Sequence, residues 1–205
     1  MGEPHSLGHM LGQSVGEGGY ALMMGRLPPG QRWAKDFPVL HLGQVPVFNP
    51  QRWHFSVDGA VMRPLSLTWE ELLQLPRQKQ RSDFHCVTGW SRLDDEWEGI
   101  PARVVLALAQ RQPEANHVLV LAEAGYTTNL PLTQLLDDDV LLALSFNGQP
   151  LGAIHGGPVR LLVPKLYAYK SAKWVTGFRV GNEEVLGFWE QRGYSNTANP
   201  WTEDR

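Results

Sequence analysis

The sequence predicts a β-rich mixed α+β domain, and three features of its pattern point to that fold class. Short segments in which apolar and polar residues alternate recur along the chain, and glycine, proline or asparagine turns bound them. Helical patterns are brief and scattered between these segments, and the chain shows no internal repeat. Eight tryptophans and 15 prolines among the 205 residues favour a rigid, loop-rich structure over a helical bundle.

The length of the chain suits one domain with a short appendage. Residues 1–23 are glycine-rich and weakly patterned, which predicts a flexible tail or residues translated from an upstream start codon. His5 and His9 lie at helical spacing in this tail, where solvated histidines are a simpler interpretation than a metal pair. Residues 24–205 are predicted to form the single folded domain.

The first part of the domain alternates extended segments with a short helix. Prolines interrupt residues 37–50, which predicts an extended surface segment outside any central strand. Residues 53–67 alternate around an Asp-Gly pair, the pattern of a β-hairpin. A helix should follow, with Ser66 or Thr68 as its N-cap. Residues 81–90 are typical of a strand that runs into a turn.

The second part continues in short elements. Residues 100–113 predict a short helix, apolar at 104, 105 and 108. Residues 117–132 predict a buried strand, a turn and a second extended piece, and one or two helical turns are expected over 130–139. Residues 140–151 predict a strand followed by an Asn-Gly turn. Residues 156–180 predict a strand, an aromatic loop and a last strand.

Composition and charge exclude several classes of function. The formal net charge of −3 gives no general basic field for nucleic acid or an anionic membrane, so any anion site must be local. No apolar run reaches the roughly 20 residues that span a bilayer, and the N-terminal residues show neither a signal peptide nor a twin-arginine pair. We therefore expect a cytoplasmic protein with no nucleic-acid partner and no membrane segment.

Several common catalytic motifs are missing from the sequence. The spacings of a dinucleotide fingerprint, a P-loop, a hydrolase nucleophile elbow and an HExxH zinc site do not occur. A single cysteine excludes a disulfide framework and any multi-cysteine zinc or iron–sulfur site within one chain. The aromatic tail from Phe188 to Trp201 is expected to form a packed lid, because basic residues do not interleave with it as on a base-stacking platform.

The single cysteine, Cys86, lies in the stretch FHCVTGWSRL and has three possible roles. Free cysteines are often small buried hydrophobes, but this one falls where a strand ends, a favoured position for sites. Thr88 and Gly89 are small enough to let a bulky group approach, and a thiolate is a natural ligand for a soft or high-valent metal. His85 is poorly placed to activate the thiol, because adjacent strand residues face opposite sides.

Two further clusters favour an anion. In HGGPVRLLVP, Arg160 follows a glycine-rich turn, an arrangement that suits phosphate, although a salt bridge at a strand edge is the alternative. In YKSAKW, Lys170 and Lys173 flank Ser171 and Ala172, whose small side chains expose backbone donors. These lysines could equally decorate a strand. Together the two clusters make an anionic cofactor more plausible than either does alone.

Five stretches occur in an order that resembles a known family: DFHCVTGWS with WEGIPARVVL, then GYTTNLPL, HGGPVRLLVP, YKSAKW and GFWEQRGY. Together they resemble the sulfite oxidase-like molybdopterin oxidoreductases, most closely the small cytoplasmic bacterial members related to the catalytic subunit of methionine sulfoxide reductase. The resemblance runs from about Gly25 to Trp201. It implies the fold of the sulfite oxidase molybdopterin-binding domain and a molybdenum–molybdopterin cofactor.

The resemblance also implies the site. Cys86 falls at the position of the molybdenum-coordinating cysteine of the family, and Trp90 and Trp97 are either walls of the metal pocket or core residues. The residues at cofactor-binding positions are His41, Tyr126, Thr128, His155, Arg160, Ser171, Ala172 and Lys173.

Four positions depart from the family pattern. The arginine after the family's cysteine aligns with Ser91, the arginine of its N-terminal loop falls near Leu40, and its tyrosine before the tail motif falls near Leu186. A pocket without these groups should bind the sulfite dianion poorly. Ala124 stands before Gly125 where many relatives carry aspartate, which leaves the role of that segment open.

The implied activity is oxo transfer on a small substrate, such as a sulfoxide, an N-oxide or a related oxyanion, and not sulfite itself. The pattern shows no heme or dimerisation domain, so electrons are expected to pass through a separate partner protein. Two alternatives stay open: a non-catalytic molybdopterin-binding protein that lost the metal, and a thiol enzyme that uses Cys86 with His85.

Overall fold

The computed structural model describes residues 25–205, so the predicted tail with His5 and His9 lies outside the described residues. About 36% of the residues are in strands and 16% in helices, which confirms the predicted strand-rich α+β class. The strands in chain order are β1 (Arg32–Trp33), β2 (His54–Gly59), β3 (Leu65–Thr68), β4 (Gln78–Cys86), β5 (Trp90–Pro101), β6 (His117–Ala122), β7 (Thr127–Pro131), β8 (Leu141–Phe146), β9 (Gln149–Pro150), β10 (Arg160–Leu162) and β11 (Val175–Gly181). The α-helices are α1 (Trp69–Leu73), α2 (Ala102–Ala109) and α3 (Leu132–Leu135).

The strands form two sheets. The first has six strands, in which β5 pairs in parallel with β1 and antiparallel with β4 and β8, while β10 and β9 extend from β8. The second has five strands in the order β3-β2-β11-β6-β7, with β11 parallel to β2 and antiparallel to β6. Cys86 ends β4 in the first sheet, at the end of the hairpin with β5.

The predicted hairpin and helix cap are confirmed. Strands β2 and β3 pair antiparallel, and Ser66 belongs to the ladder and not to the cap. The Oγ1 of Thr68 accepts a hydrogen bond from the Glu71 N–H at 3.2 Å, and the Glu71 carboxylate accepts one from the Thr68 N–H at 2.8 Å. This reciprocal capping box satisfies two of the free backbone donors at the start of α1.

Helix α2 begins directly after Pro101, as predicted, but its buried face differs from the predicted one. Val105 and Leu106 are inaccessible to solvent, whereas Leu108 is 44% exposed. The helix stops at Gln110, which has a left-handed φ of 54°. Hydrophobic spacing therefore located the helix correctly and its inward face only in part.

The proline-interrupted segment over residues 38–49 is extended and has no regular secondary structure, as predicted. Val47 is 96% exposed, and Leu40 and Leu42 are also exposed. No backbone hydrogen bond joins residues 38–47 to any other part of the chain that the structure describes. Side-chain packing anchors its far end, where the Phe48 ring meets Trp69 at 5.0 Å.

The buried hydrophobic side chains form two cores. The larger one is shared by the two sheets and includes Phe55 of the second sheet and Leu142 of the first, both fully buried. The smaller one lies against the first sheet and includes Phe84, Cys86 and Trp97. Trp97 has no exposed surface, so it is a core residue, in line with the second of its two predicted roles.

A buried ion pair joins the aromatic loop, residues 163–174 between β10 and β11, to the C-terminal tail, residues 182–205. Lys170 and Glu190 have side-chain exposures of 0% and 1%, and the Lys170 Nζ donates to the Glu190 carboxylate at 2.5 Å. The same ammonium donates to the backbone and side-chain oxygens of Asn129, both at 2.8 Å. Lys170 is therefore neither an exposed side chain on a strand nor part of an anion site, because the Glu190 carboxylate already neutralises its charge.

We expect both Lys170→Met and Glu190→Leu to lower the free energy of unfolding by about 3–5 kcal/mol, because each leaves one charge buried without its partner. The double variant should lose less than the sum of the two, and urea unfolding measures all three.

Asp58→Asn is the matched control, since Asp58 forms an ion pair with Arg179 at the surface. Its effect should stay within about 1 kcal/mol. If Lys170→Met and Glu190→Leu are no more destabilised than this control, the structural role assigned to the Lys170–Glu190 pair is contradicted.

Candidate functional site

A cavity of about 510 Å³ opens between the end of β4, the aromatic loop, the C-terminal tail and the extended segment. Seven of the nine predicted site residues line it. They are His41, Cys86, Tyr126, Arg160, Ser171, Ala172 and Lys173. Residues more than 130 positions apart in the sequence thus meet around one space, which the two sheets and the tail enclose.

Strand pairing fixes the direction of Cys86. It lies opposite Trp90 across the β4–β5 hairpin, and both side chains line the cavity. His85 and Ser91 form the neighbouring pair, whose side chains face the other side of the sheet. The Cys86 Sγ lies 3.2 Å from the Thr88 hydroxyl. The thiol is therefore available to the cavity, while His85 is turned away from it.

Arg160 supplies a buried positive charge at the base of the cavity. Its side chain starts β10, the residue is 3% exposed, and its guanidinium lies 4.8 Å from the centre of the Phe84 ring. One nitrogen donates to the His155 carbonyl at 2.9 Å, and Nε has no partner within residues 25–205. Burial lowers the pKa of Arg160 to about 10, so it stays protonated at neutral pH.

No carboxylate pairs with Arg160 among residues 25–205. A buried charge without a counter-charge is costly, so the base of this cavity favours an anionic ligand.

Lys173 brings a second nitrogen to the same cavity. Its Nζ donates to the Ile154 carbonyl at 2.6 Å. Burial, and then repulsion from Arg160, lower the pKa of Lys173 to about 7. Gly156 allows this approach, because a Cβ at that position would lie 2.9 Å from the Lys173 side chain and its φ is +107°. An anion bound here would raise the pKa of Lys173.

The aromatic loop is held in place by its own hydrogen bonds. The Ser171 hydroxyl accepts from the Val163 N–H at 2.9 Å, and the Tyr126 hydroxyl donates to the Tyr169 carbonyl at 2.6 Å. Burial raises the pKa of Tyr126 well above its usual range, so its hydroxyl stays protonated. Ser171 and Tyr126 therefore shape the wall, with their hydroxyl groups already engaged.

His41 lies at the mouth of the cavity. Its Nδ1 lies 3.1 Å from the Gly43 carbonyl, and its ring meets the Trp174 ring edge-on at 5.8 Å. The ring is exposed, so it can reach a ligand only at the rim.

Two predicted cofactor residues do not line the cavity. Thr128 is fully buried, and its hydroxyl donates to the Glu190 carboxylate at 2.7 Å. His155 stacks on the ring of the cavity wall residue Phe37, with ring centres 4.4 Å apart, and its Nδ1 has no partner among the described residues. Thr128 is thus tied to the buried ion pair, whereas His155 contacts the cavity only through Phe37 and through the carbonyl that Arg160 bonds.

The departures from the family pattern also find their places. Ser91 is fully buried on the face of the sheet away from the cavity, and Leu186 is exposed outside it. Leu40 lines the mouth and is 51% exposed. Ala124 lines the cavity with a left-handed φ of 57°. Of the three positions thought to replace sulfite-binding groups, only Leu40 borders the cavity.

Two aromatic walls of the cavity, Phe37 and Trp174, are what the sequence reasoning missed. Phe37, Trp174, Phe188 and Trp189 line it, together with Trp90, which was one of two candidate wall residues. Of the tail aromatics predicted to form a lid, Phe188, Trp189 and Tyr194 line the cavity, whereas Trp201 lies against His85 outside it. Phe37 carries no motif that marks it. Trp174 directly follows YKSAK, and this position beside the motif was the one sequence feature that could have marked it as a cavity residue.

The arrangement can hold a planar anionic ligand. A thiol opens at one wall, the guanidinium of Arg160 and the amine of Lys173 line the cavity, and indole and phenyl rings form the remaining sides. Three buried polar atoms that border or adjoin the cavity have no partner in the described chain, and these are Trp90 Nε1, Arg160 Nε and His155 Nδ1.

Among residues 25–205, no helix has both the length and the apolar character to cross a membrane.

Known proteins are similar to this chain. The family model described as oxidoreductase molybdopterin binding domain matches residues 42–189. The uncharacterized oxidoreductase YuiH of Bacillus subtilis is 44% identical over 182 residues, which cover 88% of this chain and 92% of that protein.

Two larger proteins match over part of their length. The protein-methionine-sulfoxide reductase catalytic subunit MsrP of Gluconobacter oxydans is 29% identical over 77% of this chain and 57% of its own. The crystal structure of the sulfane dehydrogenase SoxCD from Paracoccus pantotrophus superimposes with a TM-score of 0.63 and 26% identity, over 69% of this chain and 41% of that one. The chain belongs to the sulfite oxidase-like family of oxidoreductases, whose molybdopterin cofactor carries molybdenum.

Proposed function

We propose that Cys86 binds the molybdenum of a molybdopterin cofactor in this cavity and that the protein transfers an oxo group to or from a small substrate. One observation carries the proposal: the sole thiol of the chain opens into the cavity that also holds a fully buried arginine without a carboxylate partner. Thiolate suits a soft or high-valent metal, and guanidinium suits phosphate.

The residues present fit this cofactor. We assign Arg160 and Lys173 to its phosphate, because both bring nitrogen donors to the cavity. The unpartnered Nε of Arg160 and Nε1 of Trp90 would gain acceptors on binding. Ala172 and Ser171 place small side chains along the loop, which lets a bulky ring system approach the backbone. His41, Tyr126, Thr128 and His155 are retained as predictions, with direct contact available to the first two.

The protein's own contribution is to bind, orient and enclose. When bound, the molybdenum–pterin group supplies two-electron redox chemistry and oxo transfer. The Cys86 strand fixes the position of the metal, Arg160 holds charge at the base, and the lid rings Phe188 and Trp189 exclude water. The protonated Tyr126 hydroxyl already donates to Tyr169, so it is not assigned as a proton donor to substrate.

The mouth of the cavity supports a neutral or weakly anionic substrate over sulfite. Leu40, Leu42 and Phe188 border it, and the guanidinium of Arg160 is buried. Ser91 lies on the opposite face of the sheet, so the missing arginine at that position says nothing about the cavity. The argument that sulfite binds poorly therefore depends on Leu40. A sulfoxide or an N-oxide fits this mouth best, with a related oxyanion as a weaker candidate. The printed name of the relative MsrP, a protein-methionine-sulfoxide reductase, supports a sulfoxide.

We also propose a separate electron partner, a cytoplasmic location and a single domain over residues 24–205. Oxo transfer moves two electrons, so a turnover needs a second redox protein to supply or remove them. A lone unpaired cysteine suits a reducing compartment.

Elemental analysis of the native protein should find about one molybdenum per chain, because a single thiol ligand serves one metal. Cys86→Ser should abolish reduction of sulfoxides and N-oxides with an artificial dye donor, while pterin extracted from the variant stays near wild-type amounts, since the phosphate contacts remain. Full activity of Cys86→Ser with molybdenum present would show that the ligand assignment is wrong. Pterin without molybdenum in the wild type would favour the non-catalytic binding protein.

Anion binding to the metal-free chain should weaken as pH rises above about 7, where Lys173 loses its proton. Sulfate is the probe, since it does not titrate in this range, and calorimetry should show its affinity falling up to about tenfold per pH unit. Lys173→Met should flatten this dependence, because Arg160 keeps its charge to about pH 10.

The control is Lys165→Met, since Lys165 is 63% exposed and pairs with Asp137 away from the cavity. It should leave the pH dependence as in the wild type. A slope that persists in Lys173→Met would assign the titration to another group.

A further inference from the structure

A chain of buried hydrogen bonds lies behind Cys86, on the face of the sheet away from the cavity. The Gln31 side-chain nitrogen lies 3.1 Å from the Cys86 carbonyl, and the Ser91 hydroxyl lies 3.2 Å from the Gln31 side-chain oxygen. The His85 Nδ1 lies 2.8 Å from the Ser91 hydroxyl. Gln31, Ser91 and His85 are 9%, 0% and 4% exposed.

The chemistry of the groups fixes the direction of every bond in this chain. The Cys86 carbonyl can only accept, so the Gln31 atom that faces it is the amide nitrogen. The Gln31 oxygen then faces Ser91, whose single proton must be donated to it. Ser91 can therefore only accept from His85, which fixes the proton of that ring on Nδ1. All three bonds run one way and end at the peptide of Cys86.

The backbone holds this chain at the turn that presents the thiol. Gln31 directly precedes β1, whose first residue, Arg32, pairs with Trp90 of β5. The Cys86 carbonyl also accepts from the Gly89 N–H at 2.9 Å, which closes the turn after β4. Two donors thus converge on one carbonyl, one from the turn itself and one from a segment 55 residues earlier.

We propose that Gln31, Ser91 and His85 are positioning residues for Cys86, which fix the direction of its thiolate and polarise its peptide group. The inference depends on the proposed role of Cys86 as the molybdenum ligand. None of the three side chains lines the cavity, so they act through Cys86 and not on substrate. Hydrogen bonds behind a metal ligand orient it and tune its donor strength.

Stability alone does not account for this choice of residues. Three polar side chains buried together gain little over apolar ones of the same shape, because each must first lose its hydration. A directed chain that ends on the ligand's own peptide has a use that apolar packing lacks.

The test compares variants that differ in one hydrogen bond. Gln31→Met keeps the length and burial of the side chain and removes its donor to Cys86. His85→Leu removes the first donor, whereas His85→Asn keeps a nitrogen donor near the position of Nδ1. Val120→Ala is the stability control, because Val120 is fully buried in the second sheet. Substrate turnover, molybdenum content and the electron paramagnetic resonance spectrum of the half-reduced metal are measured for each.

Gln31→Met and His85→Leu should lower kcat about tenfold with KM unchanged and molybdenum retained, and should alter the spectrum of the metal. His85→Asn should recover most of the loss, and Val120→Ala should leave both the spectrum and the activity per molybdenum as in the wild type. Wild-type spectra and kcat in Gln31→Met and His85→Leu would overturn the inference. Spectral changes in Val120→Ala equal to those in Gln31→Met would overturn it as well.

A second measurement separates this inference from the proposed function. Cys86 is the only cysteine, so the rate of iodoacetamide alkylation of the metal-free full chain reports on that thiol alone. Gln31→Met should change this rate, and Val120→Ala should not. An unchanged rate overturns the inference whether or not the wild type holds molybdenum. A changed rate in a protein that never holds molybdenum would support the control of Cys86 and refute the proposed function.

Discussion

The site depends first on the Lys170–Glu190 ion pair, because both charges lie where no water can replace a lost partner. Lys170 adjoins Ser171 on the cavity-lining loop, and Glu190 adjoins the lid residue Trp189. Once the lysine is buried, the tail has to follow, since only its carboxylate neutralises the charge. Thr128 and Asn129 complete the same network from β7, which brings the second sheet into contact with both walls. One interaction therefore sets the relative positions of loop, lid and sheet.

Much of the fold could be predicted because its signals are local. The capping box at Thr68 and Glu71 spans four residues. The turn at Asn147 and Gly148 requires positive φ at both residues, 48° and 75°, which this pair adopts readily. Strand alternation likewise predicted that Cys86 and His85 face opposite sides, and the β4–β5 register shows them doing so.

The parts of the site that escaped prediction depend on distant partners. Lys170 and Lys173 lie three residues apart in one motif, yet one is sealed inside and the other reaches the cavity. That difference arises from a carboxylate 20 residues later, which no local pattern reveals. Thr128 is likewise held by a distant residue, because its hydroxyl donates to the Glu190 carboxylate. Phe37 lies in an irregular segment, and no local pattern predicts that this segment borders the cavity. Ser91 shows that matching a position to a family does not tell which face of a sheet its side chain occupies.

The floor and the mouth of the cavity differ in how firmly the chain is held. The floor is built on paired strands and a buried ion pair, whereas the mouth is formed partly by residues 38–43, which make no backbone hydrogen bonds to the rest of the described chain. Changes in that segment need not disturb a ladder or a core. The residues that control access to the cavity are therefore separate from those that form the reacting centre. Substitutions in a short stretch of loop can change which molecules enter, while the reacting centre beneath it is unchanged.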